Sequence, residues 1–140
     1  MPQTAQDIIK TLNMQPHPEG GWYVETWRSD VGERPSGSSI YFLLEADQRS
    51  HWHRVDAAEI WHWYAGSAMA LHTHEAETRT EILGPDLAAG QRPQLIVPAN
   101  AWQSSVPQDG WVLVGCTVSP AFQFENFELA PAGWSPKIKY

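Results

Sequence analysis

The sequence predicts an all-β domain, either a closed barrel or two packed sheets, preceded by one short helix. Eleven prolines and ten glycines in 140 residues argue against a helical bundle and suit short strands joined by turns. After the first prolines the hydrophobic period changes to two, and about nine short strand-like segments follow at roughly 8–12 residue spacing. Strands this short do not form a stable open sheet alone, so closure or double layering is expected.

The N-terminal segment predicts a helix over about residues 4–13. Thr4 is placed to cap it, and Asp7 follows three residues later, near the positive end of the helix dipole. Apolar residues then recur at helical spacing, at Ile8, Ile9 and Leu12. Pro16 and Pro18 end the helical pattern.

Runs of aromatic and β-branched residues between turn residues predict the strands. Their ranges are 21–28, 39–44, 51–55, 59–65, 69–74, 94–97, 101–105, 111–118 and 122–129, and the breakers around 84–90 leave room for one further short strand at 81–83. The segment 39–44 is almost continuously apolar, so we expect it to be covered on both faces. The last strand carries Glu125 and Glu128, which suit an exposed edge. A single domain over residues 1–140 is expected, with the barrel occupying about residues 21–130.

Charge and composition exclude several classes of partner. The net charge is −7, from 9 Lys and Arg against 16 Asp and Glu, and no basic patch predicts binding to nucleic acid or to an anionic membrane. No apolar run approaches the roughly 18 residues that cross a bilayer, and the N-terminus lacks a signal-peptide layout, so a cytoplasmic protein is expected. The single cysteine, Cys116, excludes an internal disulfide and lies in an apolar run typical of a buried thiol.

The segment from Ser50 to Gly66 holds the strongest candidate functional residues. On a regular strand His51 and His53 point to the same face, and a bend then brings Glu59 back on the neighbouring strand. Two imidazoles and one carboxylate on one face can hold a divalent metal with open positions, such as iron, manganese, nickel or zinc. Without a metal, His53 and Glu59 form an acid–base site, because an imidazole near its neutral pKa beside a carboxylate can take or give a proton.

The aromatic residues predict further ligand contacts. Eight tryptophans supply rigid apolar surface for a core, a subunit interface or a ligand pocket. Trp61 shares the strand phase of Glu59, so both enter the barrel unless the strand is bulged. Such a pocket suits a sugar ring or a planar organic acid, and Tyr41 is a candidate contact. Glu25, within an aromatic strand, lies either on a solvent face or in a polar pocket.

The segment His17-Pro-Glu-Gly-Gly21 allows two interpretations. Its glycines permit positive φ angles or a close backbone approach. In the first interpretation, Glu19 or His17 reaches the mouth of a pocket. In the second, the segment is a tight turn into the first strand.

Six motifs occur in order along the chain: 17–21, 40–44, 50–54, 59–66, 97–102 and 113–118. Together they resemble a branch of small single-domain cupins of largely unassigned function, over roughly residues 5–130. The first cupin motif is matched by His51-x-His53, five residues, Glu59, six residues and Gly66, with a gap one residue longer than usual and no upstream Gly. Where the second cupin motif normally supplies a His, this chain has Gln103, so a metal centre would depend on His51, His53 and Glu59.

The resemblance implies a jelly roll (a double-stranded β-helix), a homodimer and a small-molecule ligand inside the barrel. The expected activity is isomerisation or epimerisation of a sugar-like or carbonyl substrate. His53 would be the general base, Glu59 its partner or a metal ligand, and Gln103 a hydrogen-bonding contact to substrate. A non-catalytic ligand-binding protein and a metal-dependent oxygenase are the alternatives, because one fold hosts many functions.

Overall fold

Two antiparallel β-sheets and one N-terminal helix make up the computed structural model, which describes residues 3–136. The elements are α1 (Ala5–Leu12), β1 (Gln15–Pro16), β2 (Trp22–Arg28), β3 (Ser38–Leu44), β4 (Ser50–Val55), β5 (Ala58–Gly66), β6 (Met69–His74), β7 (Thr78–Leu83), β8 (Gln94–Val97), β9 (Trp102–Pro107), β10 (Val112–Ser119) and β11 (Phe127–Leu129). The predicted all-β jelly roll with a short N-terminal helix is confirmed. Residues 1–2 and 137–140 of the predicted domain lie outside the described residues.

The helix α1 begins and ends at the residues that its sequence predicts. The Thr4 hydroxyl accepts a hydrogen bond from the Asp7 amide, and the Asp7 carboxylate accepts one from the Thr4 amide, both at 3.1 Å. At the other end Asn13 adopts a left-handed conformation with φ 56°. These local bonds satisfy the amides of Thr4 and Asp7, so the start of the helix at Thr4 is fixed by its own sequence.

The strand β3 is covered on both faces, as its apolar sequence predicts. Phe42 and Leu44 point into the interior between the sheets, whereas Leu43 packs against Ile8 and Ile9 of α1. Burying an apolar side chain of this size contributes about 1.5–3 kcal/mol, so α1 is held to the sheet by its apolar stripe.

The two sheets enclose the main core. One has the strand order β1-β2-β3-β10-β5-β8 and the other β11-β4-β9-β6-β7. The fully buried residues between them are Phe42, Leu44, Trp61, Met69, Leu71, Leu83, Val97, Val112 and Val114. Among residues 3–136, no helix is long and apolar enough to span a membrane.

The segment predicted as the last strand differs from the prediction. Residues 124–126 form a single 3-10 turn, and the strand is limited to β11 at the edge of its sheet. Arg28 holds the start of this segment by donating to the Phe122 carbonyl at 2.7 Å. Phe122 and Phe124 pack against the ring of His17 instead of continuing a regular strand, so side-chain packing overrides the strand propensity here.

Candidate functional site

A β-bulge in β4 decides which of its side chains enter the barrel. Ser50 pairs with Ser105, and His53 pairs with Gln103, so β4 advances three residues while β9 advances two. The extra residue places Ser50 and His53 on the face shared by Ser105 and Gln103.

His51 is therefore not on the face of His53, and the prediction that it is was wrong. Its Nε2 lies 3.0 Å from the Pro131 carbonyl oxygen, in a half-buried position. Regular alternation would put the side chains of His51 and His53 on the same face, but the bulge between Ser50 and His53 shifts the alternation. The predicted trio of His51, His53 and Glu59 is consequently not assembled.

His53 is buried and has a fixed tautomer. Its side chain is 1% exposed, and its Nδ1 lies 2.7 Å from the His51 carbonyl oxygen. Because a carbonyl oxygen only accepts, Nδ1 carries the hydrogen and the neutral ring has its lone pair on Nε2. That nitrogen lies 3.5 Å from Oε2 of Glu19. The basic atom of the ring thus faces a buried carboxyl group.

Glu19 reaches this position because the segment 17–21 is a tight turn. Gly20 has φ +111°, and a Cβ atom there would collide with the Arg49 carbonyl oxygen. The turn directs the Glu19 carboxyl inwards, where Oε2 accepts a hydrogen bond from the Ser50 hydroxyl. The tight-turn interpretation of the glycine motif is therefore correct, and the turn is what buries the acidic side chain.

Glu59, Gln103 and Trp61 form a second buried chain of hydrogen bonds. The Gln103 amide nitrogen donates to Oε1 of Glu59 at 2.9 Å, and the Trp61 indole N–H donates to Oε1 of Gln103 at 2.9 Å. The buried Cys116 thiol is a further, smaller influence that lowers the pKa of Glu59. Since an indole N–H can only donate, it fixes the orientation of the Gln103 amide. Trp61 and Gln103 thus lie inside the barrel and orient Glu59.

Burial disfavours the charged forms of the ionisable groups in the site. It raises the pKa of Glu19 to about 8, opposed by the Ser50 hydrogen bond, and that of Glu59 to about 7, opposed chiefly by His53. Burial, with a smaller effect of His53, lowers the pKa of His17 to about 3, and burial also lowers the pKa of His53. Near neutral pH the Glu19 carboxyl and both imidazoles are therefore uncharged while Glu59 is partly ionised, an arrangement suited to passing protons.

A cavity of about 260 Å³ opens beside this cluster. It is lined by Gln15, His17, Tyr23, Glu25, Arg28, Ile40, Phe122 and Phe124. Glu25 is thus on the cavity wall, with its carboxylate 2.9 Å from the Arg28 guanidinium. Phe127 packs against both imidazole rings, with centroids 6.0 Å from His17 and 5.5 Å from His53. The cavity therefore reaches His17 directly, while Phe127 covers His53.

Tyr41 does not line the barrel, which corrects its prediction as a ligand contact. It packs with the residues beneath α1, and its ring lies edge-on to Tyr64 with centroids 5.9 Å apart. The neighbouring Phe42 points into the core, so alternation sends Tyr41 to the outer face of the sheet.

Sequence reasoning missed three residues of the site and left two undecided. Ser50, Arg28 and Cys116 were not predicted to belong to the site. His17 and Glu19 were predicted to reach it in only one of the two interpretations of the segment 17–21. Ser50 has a sequence signal in its motif with His53, three residues on. Arg28 has none, because its position depends on how the distant 122–127 segment folds back onto β2.

The donor atoms present do not fit the predicted metal centre. Within residues 3–136, no group of three or more His, Cys, Asp or Glu is placed to hold a metal. His53 offers only Nε2, and Glu19 and Glu59 already accept hydrogen bonds from Ser50 and Gln103. Both carboxyl groups are thus held by donors of the chain, and they do not converge with His53 on one point as metal ligands would.

Comparison with known proteins assigns the family. A search of curated proteins gives no match. The structure resembles that of a Shewanella oneidensis protein, SO0799, with 45% identity, a TM-score of 0.88 and coverage of 92% of this chain and 85% of that chain. A hypothetical protein from Leishmania major is 33% identical, with a TM-score of 0.84 and coverage of 90% and 86%. Oxalate decarboxylase from Bacillus subtilis shares the fold alone, at 9% identity, a TM-score of 0.65 and coverage of 81% and 29%. Residues 6–130 match the family model described as Cupin superfamily (DUF985), and the chain therefore belongs to that family.

Proposed function

We propose that this protein binds a small polar carbonyl compound at the mouth of the barrel and acts on it as an isomerase or epimerase. The observation that carries the proposal is the pairing of a base and an acid in one dry site. His53 presents a lone pair on Nε2, and the uncharged Glu19 carboxyl lies 3.5 Å away. General acid–base catalysis requires such a pair, with pKa values moved towards neutrality by burial.

In this mechanism His53 is the general base. Its Nε2 takes a proton from the carbon next to the substrate carbonyl, so the C–H bond breaks and an N–H bond forms. Glu19 gives its proton to the carbonyl oxygen, and the resulting enol carries no net charge. Return of a proton to the other face or to the neighbouring carbon gives the epimer or the isomer, and both groups recover their starting states.

Glu59 and Gln103 act as positioning residues in this scheme. The Gln103 amide bonds to both Glu59 and Trp61, so in this scheme it holds the Glu59 carboxyl in place rather than binding substrate. Glu59 favours the protonated form of His53, because a negative charge nearby raises the pKa of that ring. The pair thereby stabilises the imidazolium that forms when His53 accepts the proton.

Access to His53 requires a shift of the aromatic residues at the barrel mouth. The His53 ring is 1% exposed and is covered by Phe127. The cavity beside His17 is lined by Phe122 and Phe124, whose rings contact Phe127. In this proposal a ligand in the cavity displaces these side chains to reach Nε2. Displacement of aromatic rings during binding also excludes water from the reacting atoms.

Hydrogen–deuterium exchange tests the proposal without knowledge of the product. The protein is incubated in D₂O with a panel of aldoses, ketoses, 2-hydroxy acids and 2-oxo acids, and loss of the proton next to the carbonyl or carbinol carbon is followed by NMR. We expect exchange in at least one compound, its loss in His53→Gln, and its retention in His74→Gln, whose imidazole bonds to Thr78 on the opposite sheet edge. Exchange that persists in His53→Gln would contradict the assignment of the base.

A ligand-binding protein without turnover is the second candidate. The observation that favours it is that Glu19 and Glu59 already accept hydrogen bonds within the chain and that Phe127 shields the His53 ring. In that case a panel compound raises the melting temperature while no compound exchanges its proton in D₂O.

A further inference from the structure

The side chains that line the cavity offer hydrogen-bond donors but few acceptors. Arg28 donates from Nε and Nη2 to Glu25 and from Nη2 to the Phe122 carbonyl, which leaves Nη1 without an acceptor among residues 3–136. The Tyr23 hydroxyl accepts from the Gln15 amide at 3.2 Å and keeps its own hydrogen. The cavity wall therefore carries a guanidinium nitrogen and a phenol that are free to donate.

His17 supplies a third donor. Its Nδ1 accepts a hydrogen bond from the Glu19 backbone amide at 3.1 Å. Because the ring is neutral, its hydrogen is then on Nε2. His17 lines the cavity, so its N–H adds to the donors of the lining residues.

The strongest acceptors of the cavity are largely occupied. Both oxygens of Glu25 accept from Arg28, which uses three of the roughly four lone-pair sites of that carboxylate, and the Phe122 carbonyl accepts from the same side chain. The other side-chain acceptors of the lining are the neutral oxygens of Tyr23 and of Gln15, whose side chain is exposed. A sugar hydroxyl needs an acceptor for its own hydrogen, whereas a carboxylate only accepts. This lining is therefore matched to an acceptor-only group.

We propose that the ligand of this cavity carries a carboxylate, which binds Nη1 of Arg28 and takes further hydrogen bonds from Tyr23 and His17. Glu25 already shows that a carboxylate fits the guanidinium of Arg28 side-on, and Nη1 presents the opposite side of the same planar group. The apolar remainder of the wall, Ile40, Phe122 and Phe124, suits a hydrocarbon or aromatic body. The inference rests on the proposed function only in taking this cavity as the substrate site, and it narrows the substrate to a hydroxy or oxo acid.

Replacing Glu25 tests the inference, because the direction of the change in ligand affinity depends on the charge of the ligand. Its carboxylate repels a bound anion and competes with it for Arg28, so Glu25→Gln should strengthen the binding of an acid about fivefold or more. A ligand that is cationic, or that uses Glu25 as an acceptor, would bind more weakly to the same variant. The exposed pair Arg79–Glu81 on β7 provides matched controls, because it is also an arginine–glutamate pair, with Nε 3.2 Å from Oε1, and lies outside the cavity.

Calorimetric titration with acid and amide pairs of the same shape measures the preference. The probes are benzoate with benzamide and lactate with lactamide, together with glucose and inorganic phosphate. We expect at least one acid to bind about tenfold or more tightly than its amide and than glucose or phosphate. Arg28→Gln should abolish this preference and Arg28→Lys should weaken it, while Arg79→Gln and Glu81→Gln should leave it unchanged.

The inference would be overturned if an amide, glucose or phosphate bound as tightly as the acids. It would also be overturned if the preference for acids survived in Arg28→Gln, or if no acid bound to either the wild type or Glu25→Gln. If Arg28→Gln does not fold, because it also holds Phe122, then Arg28→Lys and Glu25→Gln decide. His53→Gln separates this inference from the proposed reaction. An acid preference retained in His53→Gln, with no proton exchange by the wild type, refutes the reaction and leaves the carboxylate site standing.

Discussion

Replacing Glu19 by Gln tests whether the buried carboxyl is held uncharged. Gln has nearly the same shape and can keep the hydrogen bond from Ser50, but it cannot ionise. Burial raises the pKa of Glu19 from 4.5 in the unfolded chain to about 8 in the fold. A raised pKa contributes stability that is fully present below pH 4.5 and is lost as the pH rises towards 8.

The size of the effect follows from this window. One pKa unit corresponds to about 1.4 kcal/mol, so the interval from 4.5 to about 8 sets a ceiling of about 5 kcal/mol on the pH-dependent loss from Glu19. Relaxation of the site and entry of water reduce that value. We therefore expect Glu19→Gln to gain about 1 kcal/mol or more over wild type between pH 5 and pH 9. The histidines act with the opposite sign, since the lowered pKa of His17 costs stability only as the pH falls from 6.5 towards 3. The difference between variant and wild type removes their contribution.

Urea unfolding followed by tryptophan fluorescence at pH 5, 7 and 9 measures this difference. The wild-type free energy of unfolding should fall with pH more steeply than that of Glu19→Gln. Glu81→Gln is the control, because its side chain is exposed on β7 and its curve should run parallel to wild type. If Glu19→Gln and wild type show the same pH dependence, Glu19 is charged in the fold, and its assignment as the acid fails.

Three other predictions concern the residues that build the site. Gly20→Ala should cost about 2 kcal/mol more than Gly90→Ala in urea unfolding, because both have positive φ but only Gly20 faces a backbone oxygen. Equal costs would show that the turn yields to a side chain. Trp61→Ala should lower the free energy of unfolding by about 3–5 kcal/mol, since Trp61 is 1% exposed; an unchanged melting temperature would place it outside the core. Burial raises the pKa of the Cys116 thiol, so it should react with Ellman's reagent only after unfolding, and reaction of the native protein would contradict its burial.

Local sequence signals predicted the elements of the fold well where a single local interaction decides the structure, such as helix capping or the burial of an apolar run. The capping residues Thr4 and Asp7 fix the start of α1, and the continuous apolar run of β3 follows from cover on both faces. The prediction was wrong in the segment 122–129, where aromatic residues suit a strand but pack instead around His17. That choice depends on a residue roughly a hundred positions away, and a local pattern does not contain it.

The site was predicted less completely, for a geometric reason. Sequence reasoning placed Glu59, Trp61 and Gln103 together, since the alternation in β5 holds as far as Trp61. It failed at His51, because one extra residue in β4 reverses the face of everything before it. A bulge is visible only against the partner strand, so the sequence of β4 alone cannot reveal it.

The bulge also decides what kind of chemistry the barrel interior supports. It replaces the imidazole of His51 by the hydroxyl of Ser50, and the tight turn places the carboxyl of Glu19 against the same point. One imidazole of the predicted trio is thereby exchanged for a hydroxyl, an acid is added beside His53, and Gln103 stands where the family motif has a His. What remains around His53 is a set of groups that hold protons between them, because burial opposes charge on each one. A base with a fixed tautomer beside an uncharged acid is poised for proton transfer once a carbonyl compound separates them, and this is why we assign His53 and Glu19 as the reacting pair.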